Sequence, residues 1–233
     1  MRVKAKISKF SKISKQPLAV TAYETILSRI ICLEYQPSQH LEESQLMDDL
    51  GIGRTPIREA LVRLHGEKMV EPHSNRGMIV RPITLQNTKA MFESMRIFEF
   101  GVVDIAVNKD CTTVIQKMRA ANGKIQAAVA ANDLLGMVEA NHLFHINFAR
   151  CSQNEFLIRA IQDVRSEAKR LSYLSYHNII ESGKNLEPYH KTVVEEHDKM
   201  IVCLENNDNK KLKELLTDHI STFRERIILF MVS

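Results

Sequence analysis

The feature that most constrains this chain is a three-and-four spacing of apolar residues that recurs through almost every segment. On three of those segments, polar side chains interrupt the middle of the apolar stripe. Such spacing puts residues on one face of a helix, so the chain has to fold as packed helices. Between about Asp133 and Arg150 the stripe reads Met137, Asn141, Phe144, His145, Phe148. Between about Tyr189 and Asn206 it reads His190, Val193, Val194, His197, Met200, Ile201, Leu204. Between about Asn209 and Met231 it reads Leu212, Leu215, Leu216, His219, Phe223, Ile227, Phe230. Asn141, His145, His197 and His219 therefore all face inward.

A buried imidazole must be satisfied, and a neutral one offers a ring nitrogen that binds divalent metals well. Three histidines with an amide, carboxylate or water make a site for zinc or a neighbouring ion, with a position left for a ligand. The competing reading is three separate core histidines, each bonded to a backbone carbonyl; spacing alone leaves both open. His190 shares the face of His197, but ordinary burial at a helix start explains it. His142 and His177 read as surface or boundary residues.

The 233 residues, 44% hydrophobic and 26% charged with only 8 Gly and 6 Pro, describe a soluble helical protein of one large or two small domains. Cys32, Cys111, Cys151 and Cys203 lack paired spacing, which excludes a disulfide framework or zinc knuckle and fits reduced thiols in the cytoplasm. The chain shows no signal peptide and no apolar run near the length of a membrane span, so no membrane association is expected. The net charge of +4 is unevenly placed. Residues 1–82 hold 13 Lys and Arg against 9 Asp and Glu, whereas residues 83–233 hold 19 of each. This points to a phosphate-facing amino-terminal module on a neutral carboxy-terminal one. Six of the positive charges lie in residues 1–16, a basic tail that either brushes DNA or simply stays solvated.

Residues 17–82 read as helix, short helix, helix and two short strands, a winged helix-turn-helix. Ala22, Ile26, Leu27, Ile30 and Ile31 form the first stripe; Leu41, Leu46 and Leu50 continue it. A third helix opens at Gly51-Ile52-Gly53-Arg54-Thr55-Pro56, with Thr55 as a cap and Pro56 at its first position. Met69–Pro72 and Met78–Arg81 flank the polar turn His73–Gly77, the wing. Arg54 and Arg58, one turn apart at the exposed helix start, suit bidentate bonding to guanine in the major groove. A surface ion pair with Glu42 or Glu43 is the alternative for Arg58. Thr55 suits a phosphate, and Arg76 with Gly77 suits the minor groove or backbone; Arg63 and Lys68 are weaker candidates.

The run Gly51-Ile52-Gly53-Arg54-Thr55-Pro56-Ile57-Arg58-Glu59-Ala60-Leu61, with Arg63-Leu64 and Asn75-Arg76-Gly77-Met78-Ile79-Val80, resembles the DNA-binding signature of the GntR family of bacterial transcription regulators. The remainder resembles its FadR-type branch, whose all-helical FCD domain binds an effector and builds a homodimer. Asn141 to His145, Glu196-His197 and His219 correspond to that branch's metal-ligand pattern. The resemblance implies a mainly α chain: a winged helix-turn-helix with a β-hairpin wing, then an antiparallel bundle of six to seven helices over residues 83–233. It further implies that Asn141, His145, His197 and His219 hold a divalent metal, zinc or nickel, which helps bind a small carboxylate. Arg96 matches an arginine that faces the effector in this branch, a buried salt bridge to Glu99 or Asp104 being the alternative. Two departures stand out. Gly53 replaces a usual Ser or Thr, and Asn141 replaces a usual Asp, so the metal site loses one negative charge.

The expected function is a homodimeric repressor in which an organic acid changes affinity for a double-stranded operator. One rival is a metal-dependent hydrolase, disfavoured because Glu196, the nearest carboxylate in sequence to His197, points about 100 degrees away around the helix and leaves no general base. Another is a regulator whose metal is purely structural.

Overall fold

The computed structural model describes residues 17–73, 77–177 and 185–232. The basic tail and Arg76 of the wing lie outside these residues. Helix α1 (Leu18–Ile31) is followed by β1 (His40–Leu41), α2 (Glu43–Leu50), α3 (Arg54–Gly66), β2 (Val70–Pro72) and β3 (Met78–Val80). Ile26, Ile30, Leu46, Ile57, Leu61, Leu64 and Val80 close into one small core. Two of the strands are the expected wing hairpin, Val70 opposite Val80 and Pro72 opposite Met78. A third strand lies on the other side of β3, with His40 opposite Ile79. Gly77 has φ +82°, and a Cβ there would sit 2.8 Å from the Leu41 carbonyl oxygen, so only glycine fits where the hairpin passes β1.

The start of α3 differs from the sequence expectation. The helix begins at Arg54, with Gly53 as an N-cap that offers no side-chain bond. Thr55 and Pro56 are therefore the second and third helical positions, where the proline still removes one of the amides a helix start leaves unpaired.

Six helices follow: α4 (Leu85–Ala106), α5 (Thr112–Ala131), α6 (Leu134–Arg150), α7 (Glu155–Tyr176), α8 (Glu187–Glu205) and α9 (Asn209–Val232). Their starts are fixed by side chains with the right chemistry. Thr84 accepts from the Asn87 amide, Asp133 from Gly136, and Asn154 from both Phe156 and Leu157. Helix α5 packs on α6 and α8, α6 on α7, and α4 on α7 and α9. Phe144, Phe148, Met118, Met200, Leu212 and Leu216 form the main core. The head is seated against the bundle: Ile31, with no exposure, is buried among Ala128, Met137, Val138, Tyr176 and Val193. All four cysteines are free thiols, three of them buried. Among the described residues no helix is long and apolar enough to cross a membrane.

Candidate functional site

On the head, Arg54 and Arg58 project from the first turns of α3 with side chains 62% and 59% exposed, enough to reach a ligand laid along that face. Glu43 at the start of α2 holds both: its carboxylate is 2.8 Å from Arg58 Nε and 3.8 Å from Arg54 Nε. The ion pair anticipated as an alternative for Arg58 thus forms, and the arginine stays exposed. Thr55 and Gly77 are also exposed. Arg63, by contrast, lies over the Tyr23 ring and bonds Glu67, so it braces α3 against α1.

Inside the bundle, His145 on α6, His197 on α8 and His219 on α9 converge, with ligating nitrogens all within 4.8 Å of one another. The first two are fully buried and His219 is 8% exposed. Phe144 stacks on His197 at 3.7 Å and fixes the plane of that ring. Asn141, one helical turn before His145, is buried beside them.

Each imidazole is held through Nδ1. His219 Nδ1 is 2.6 Å from Glu196 Oε2. His197 Nδ1 donates to Asn122 Oδ1 at 3.2 Å, and the Asn122 amide is itself fixed by donating to the Val194 carbonyl and to Asp198. His145 Nδ1 has two neighbours: Arg165 Nη2, which donates to it at 2.8 Å, and Glu99 Oε1 at 3.5 Å. Arg165 and Glu99 form a buried ion pair. Every helix of the bundle thus supplies a polar side chain to one buried cluster.

With Nδ1 so occupied, the opposite ring nitrogens face inward. His145 Nε2, His197 Nε2 and Asn141 Oδ1 are buried with no hydrogen-bond partner among the described residues. Three such atoms together, each costing about 1–3 kcal/mol if left unmet, are what a metal would satisfy. Burial, with the Arg165 charge beside it, holds His145 well below the ordinary histidine range; burial and the neighbouring imidazoles do the same to His197. Neutral rings suit metal ligation. His145 is the least ready of the three. While Arg165 donates to Nδ1, the neutral ring keeps its proton on Nε2, and a turn toward Glu99 is needed to free that nitrogen.

Arg96 stands outside the cluster. It falls next to Met95 on α4, about 100 degrees from the buried stripe, and is exposed. Neither anticipated salt bridge forms, since Glu99 pairs with Arg165 and Asp104 with Lys213. His190 bonds the Tyr176 carbonyl, as an ordinary buried helix start would. Beside the cluster, Asn141, Arg165, Ser172, Tyr189 and His219 line a cavity of about 10 Å³, room for a single water.

Residues 18–80 match the family model described as bacterial regulatory proteins, gntR family, and residues 90–222 match that of the FCD domain. The HTH-type transcriptional repressor GlaR of Escherichia coli (strain K12) is 22% identical over 209 residues, 88% of this chain and 93% of that protein. An uncharacterised HTH-type regulator of Agrobacterium vitis is 26% identical over 137 residues, 56% of this chain and 78% of its own. Among solved structures, E. coli McbR/YncC has a TM-score of 0.73 at 17% identity and covers 93% of this chain and 99% of its own. A GntR regulator from Rhodococcus sp. RHA1 has a TM-score of 0.71 at 18% identity, covering 90% and 97%.

Proposed function

The chain belongs to the GntR family of bacterial transcription regulators, in the branch that carries an FCD domain, and from that premise we propose a metal-assisted sensor of a small carboxylate that represses transcription as a homodimer. It is a DNA-binding regulator and not an enzyme. We assign residues 17–82 to operator binding, through Arg54, Thr55, Arg58, Arg76 and Gly77, and residues 83–233 to effector binding and dimerisation. Asn141, His145, His197 and His219 would hold the divalent ion, zinc or nickel.

The observation that carries this reading is the inward set of unpartnered atoms, with His197 and His219 braced at Nδ1 by acceptors from other helices. Such outer partners orient metal-binding histidines. A bound divalent ion supplies positive charge that attracts an anionic ligand; with Asn141 neutral, no protein carboxylate in the ligand set offsets that charge. Arg165, lining the adjacent cavity, is the residue we assign to the effector carboxylate in place of Arg96. Because the cavity has room for one water, a carboxylate enters only if the surrounding helices part. That gives the effector a different affinity for two arrangements of the bundle, which is the requirement for control.

The small cavity also favours a second reading, a purely structural metal. Elemental mass spectrometry of the purified protein, followed by thermal unfolding with a panel of small carboxylates, separates the two. About one metal per chain with stabilisation by particular acids only when metal is present supports the sensor. Metal-dependent stability indifferent to every acid supports the structural ion, and absence of metal before and after reconstitution removes the site.

A further inference from the structure

Cys111 and Cys151 stand 40 residues apart in sequence and side by side in the fold. Cys111 is the N-cap of α5 and Cys151 the C-cap of α6, and the packing of those two helices brings their ends together. Three bonds pin the two segments. The Lys109 ammonium donates to the Ser152 carbonyl, the Gln153 carboxamide to the Asp110 carbonyl at 3.0 Å, and the Cys111 thiol to the Cys151 carbonyl at 3.6 Å. The thiols also meet each other: burial, with the Cys111 thiol beside it, pushes the Cys151 thiol above its ordinary range. Both belong to the main core, yet they differ in access. Cys151 has no exposure, whereas Cys111 is 9% exposed and lines an open cavity of about 500 Å³ with Lys109, Thr112, Gln116 and Arg119. Neither thiol takes part in the histidine cluster or in the DNA-facing surface.

Two adjacent thiols, one open to a small solute and one hidden behind it, form the arrangement in which an oxidised cysteine is resolved by its neighbour. We propose that Cys111 and Cys151 form a reversible intramolecular disulfide when the chain meets a hydroperoxide, and that the bond fastens the start of α5 to the end of α6. With so little of its surface exposed, Cys111 admits a compact oxidant such as hydrogen peroxide in preference to a bulky disulfide. The Cys111 sulfur, as thiolate, attacks a peroxide oxygen; the S–O bond forms, the O–O bond breaks, and the departing hydroxide takes up the thiol proton as water. Cys111 is then a sulfenic acid. The Cys151 sulfur attacks the Cys111 sulfur, the S–S bond forms, the S–O bond breaks, and the oxygen leaves as a second water with the Cys151 proton. Two thiols are thereby oxidised by two electrons and the peroxide is reduced to two waters. A small dithiol reverses the bond by exchange. The ring so closed carries Asn122, Asn141 and His145, so the bond restrains two of the helices that hold the cluster. Because no cluster side chain reacts, the oxidation does not depend on the metal-binding reading.

The test treats the full chain with a small excess of hydrogen peroxide, quenches with catalase, and unfolds it in an alkylating reagent for intact mass and peptide mapping. Thermal unfolding is followed alongside. We expect two of the four free thiols to escape alkylation and the map to join Cys111 to Cys151. The unfolding midpoint should rise by roughly 5–15 °C and fall back with dithiothreitol, which leaves methionine sulfoxide untouched. In Cys151→Ala the Cys111 sulfenic acid should persist and be trapped by dimedone; in Cys111→Ser both the thiol loss and the midpoint shift should vanish. Four thiols retained in the treated parent, a bond to Cys32, Cys203 or a second chain, or Cys111 carried on to sulfinic acid without pairing overturns the proposal. So does a Cys111–Cys151 bond that brings no rise in midpoint, because the bond would then form only at the expense of the fold.

Discussion

At the scale of single residues, the buried cluster divides into atoms that face a ligand and atoms that hold them in place. Replacing His145 or His219 by Ala is expected to lower metal content and abolish the effector response while leaving DNA binding by the metal-free chain largely intact. Elemental analysis with operator titration checks this, and full occupancy in both variants would remove the site as assigned. Glu99→Gln should weaken metal affinity, because the amide is a poorer acceptor for the His145 Nδ1 proton, and outer partners of this kind are worth about 10–100-fold; it should also destabilise the fold, because it leaves the buried Arg165 charge without its carboxylate. A metal titration that matches the parent chain would show that Glu99 does not steer the ring. On the head, Arg58→Ala should weaken operator binding by roughly 1–3 kcal/mol and relax base preference, measured by fluorescence anisotropy at fixed salt. Asn141 and the three histidines were legible in the sequence because each breaks an apolar stripe. Glu99 and Arg165 carry the same signature, a charge beside Met95 and Val102 or between Ile161 and Ala168, but only packing pairs them. Asn122 was illegible as a site residue, since its meaning comes from a helix other than its own, and Glu196, expected to turn away from the site, instead reaches it by meeting His219 across the α8–α9 contact.

At the scale of elements, α7 connects the buried cluster to the joint between head and bundle, with Arg165 against His145 and with Glu167 and Arg170 on Arg81. Its start depends on Asn154, whose carboxamide oxygen accepts from two backbone amides at 3.1 and 3.2 Å. Asn154→Ala should cost about 1 kcal/mol, which in a chain of this size lowers the unfolding midpoint by about 2–4 °C. A midpoint that does not move would mean that water replaces the cap at no cost. The helices themselves were readable because a period near 3.6 persists over many residues, and the ends found for α6, α8 and α9 lie within two residues of those expected. The strand β1 was not readable. Two residues carry no periodic signal, and His40–Leu41 is a strand only because β3 lies beside it. The start of α3 was misread by two positions for a related reason: a capping Thr and a Pro are favourable at several places in a first turn, and the glycine that takes the N-cap gives no side-chain signal.

At the scale of the whole molecule, burial of neutral imidazoles links stability to pH. His145 and His197 are held well below the ordinary value, and His142, desolvated and close to Lys169, is pushed down to about 3. In the unfolded chain the same rings titrate near ~6.5. Between those values the unfolded chain takes up protons that the folded chain refuses. Stability is therefore fully present above the ordinary histidine value and is lost progressively as pH falls below it. Denaturant midpoints of the metal-free chain should drop between about pH 7 and pH 5, and a flat profile across that interval would show that the rings are protonated in place. The seating of Ile31 has a consequence of a different kind. Its side chain ends α1 of the head yet is fully buried in an apolar cluster that includes residues of four bundle helices, so melting either part alone would expose apolar surface of the other. Two modules with separate cores are in this way made to melt together, and calorimetry should record one cooperative transition where their sequences, taken apart, would suggest two.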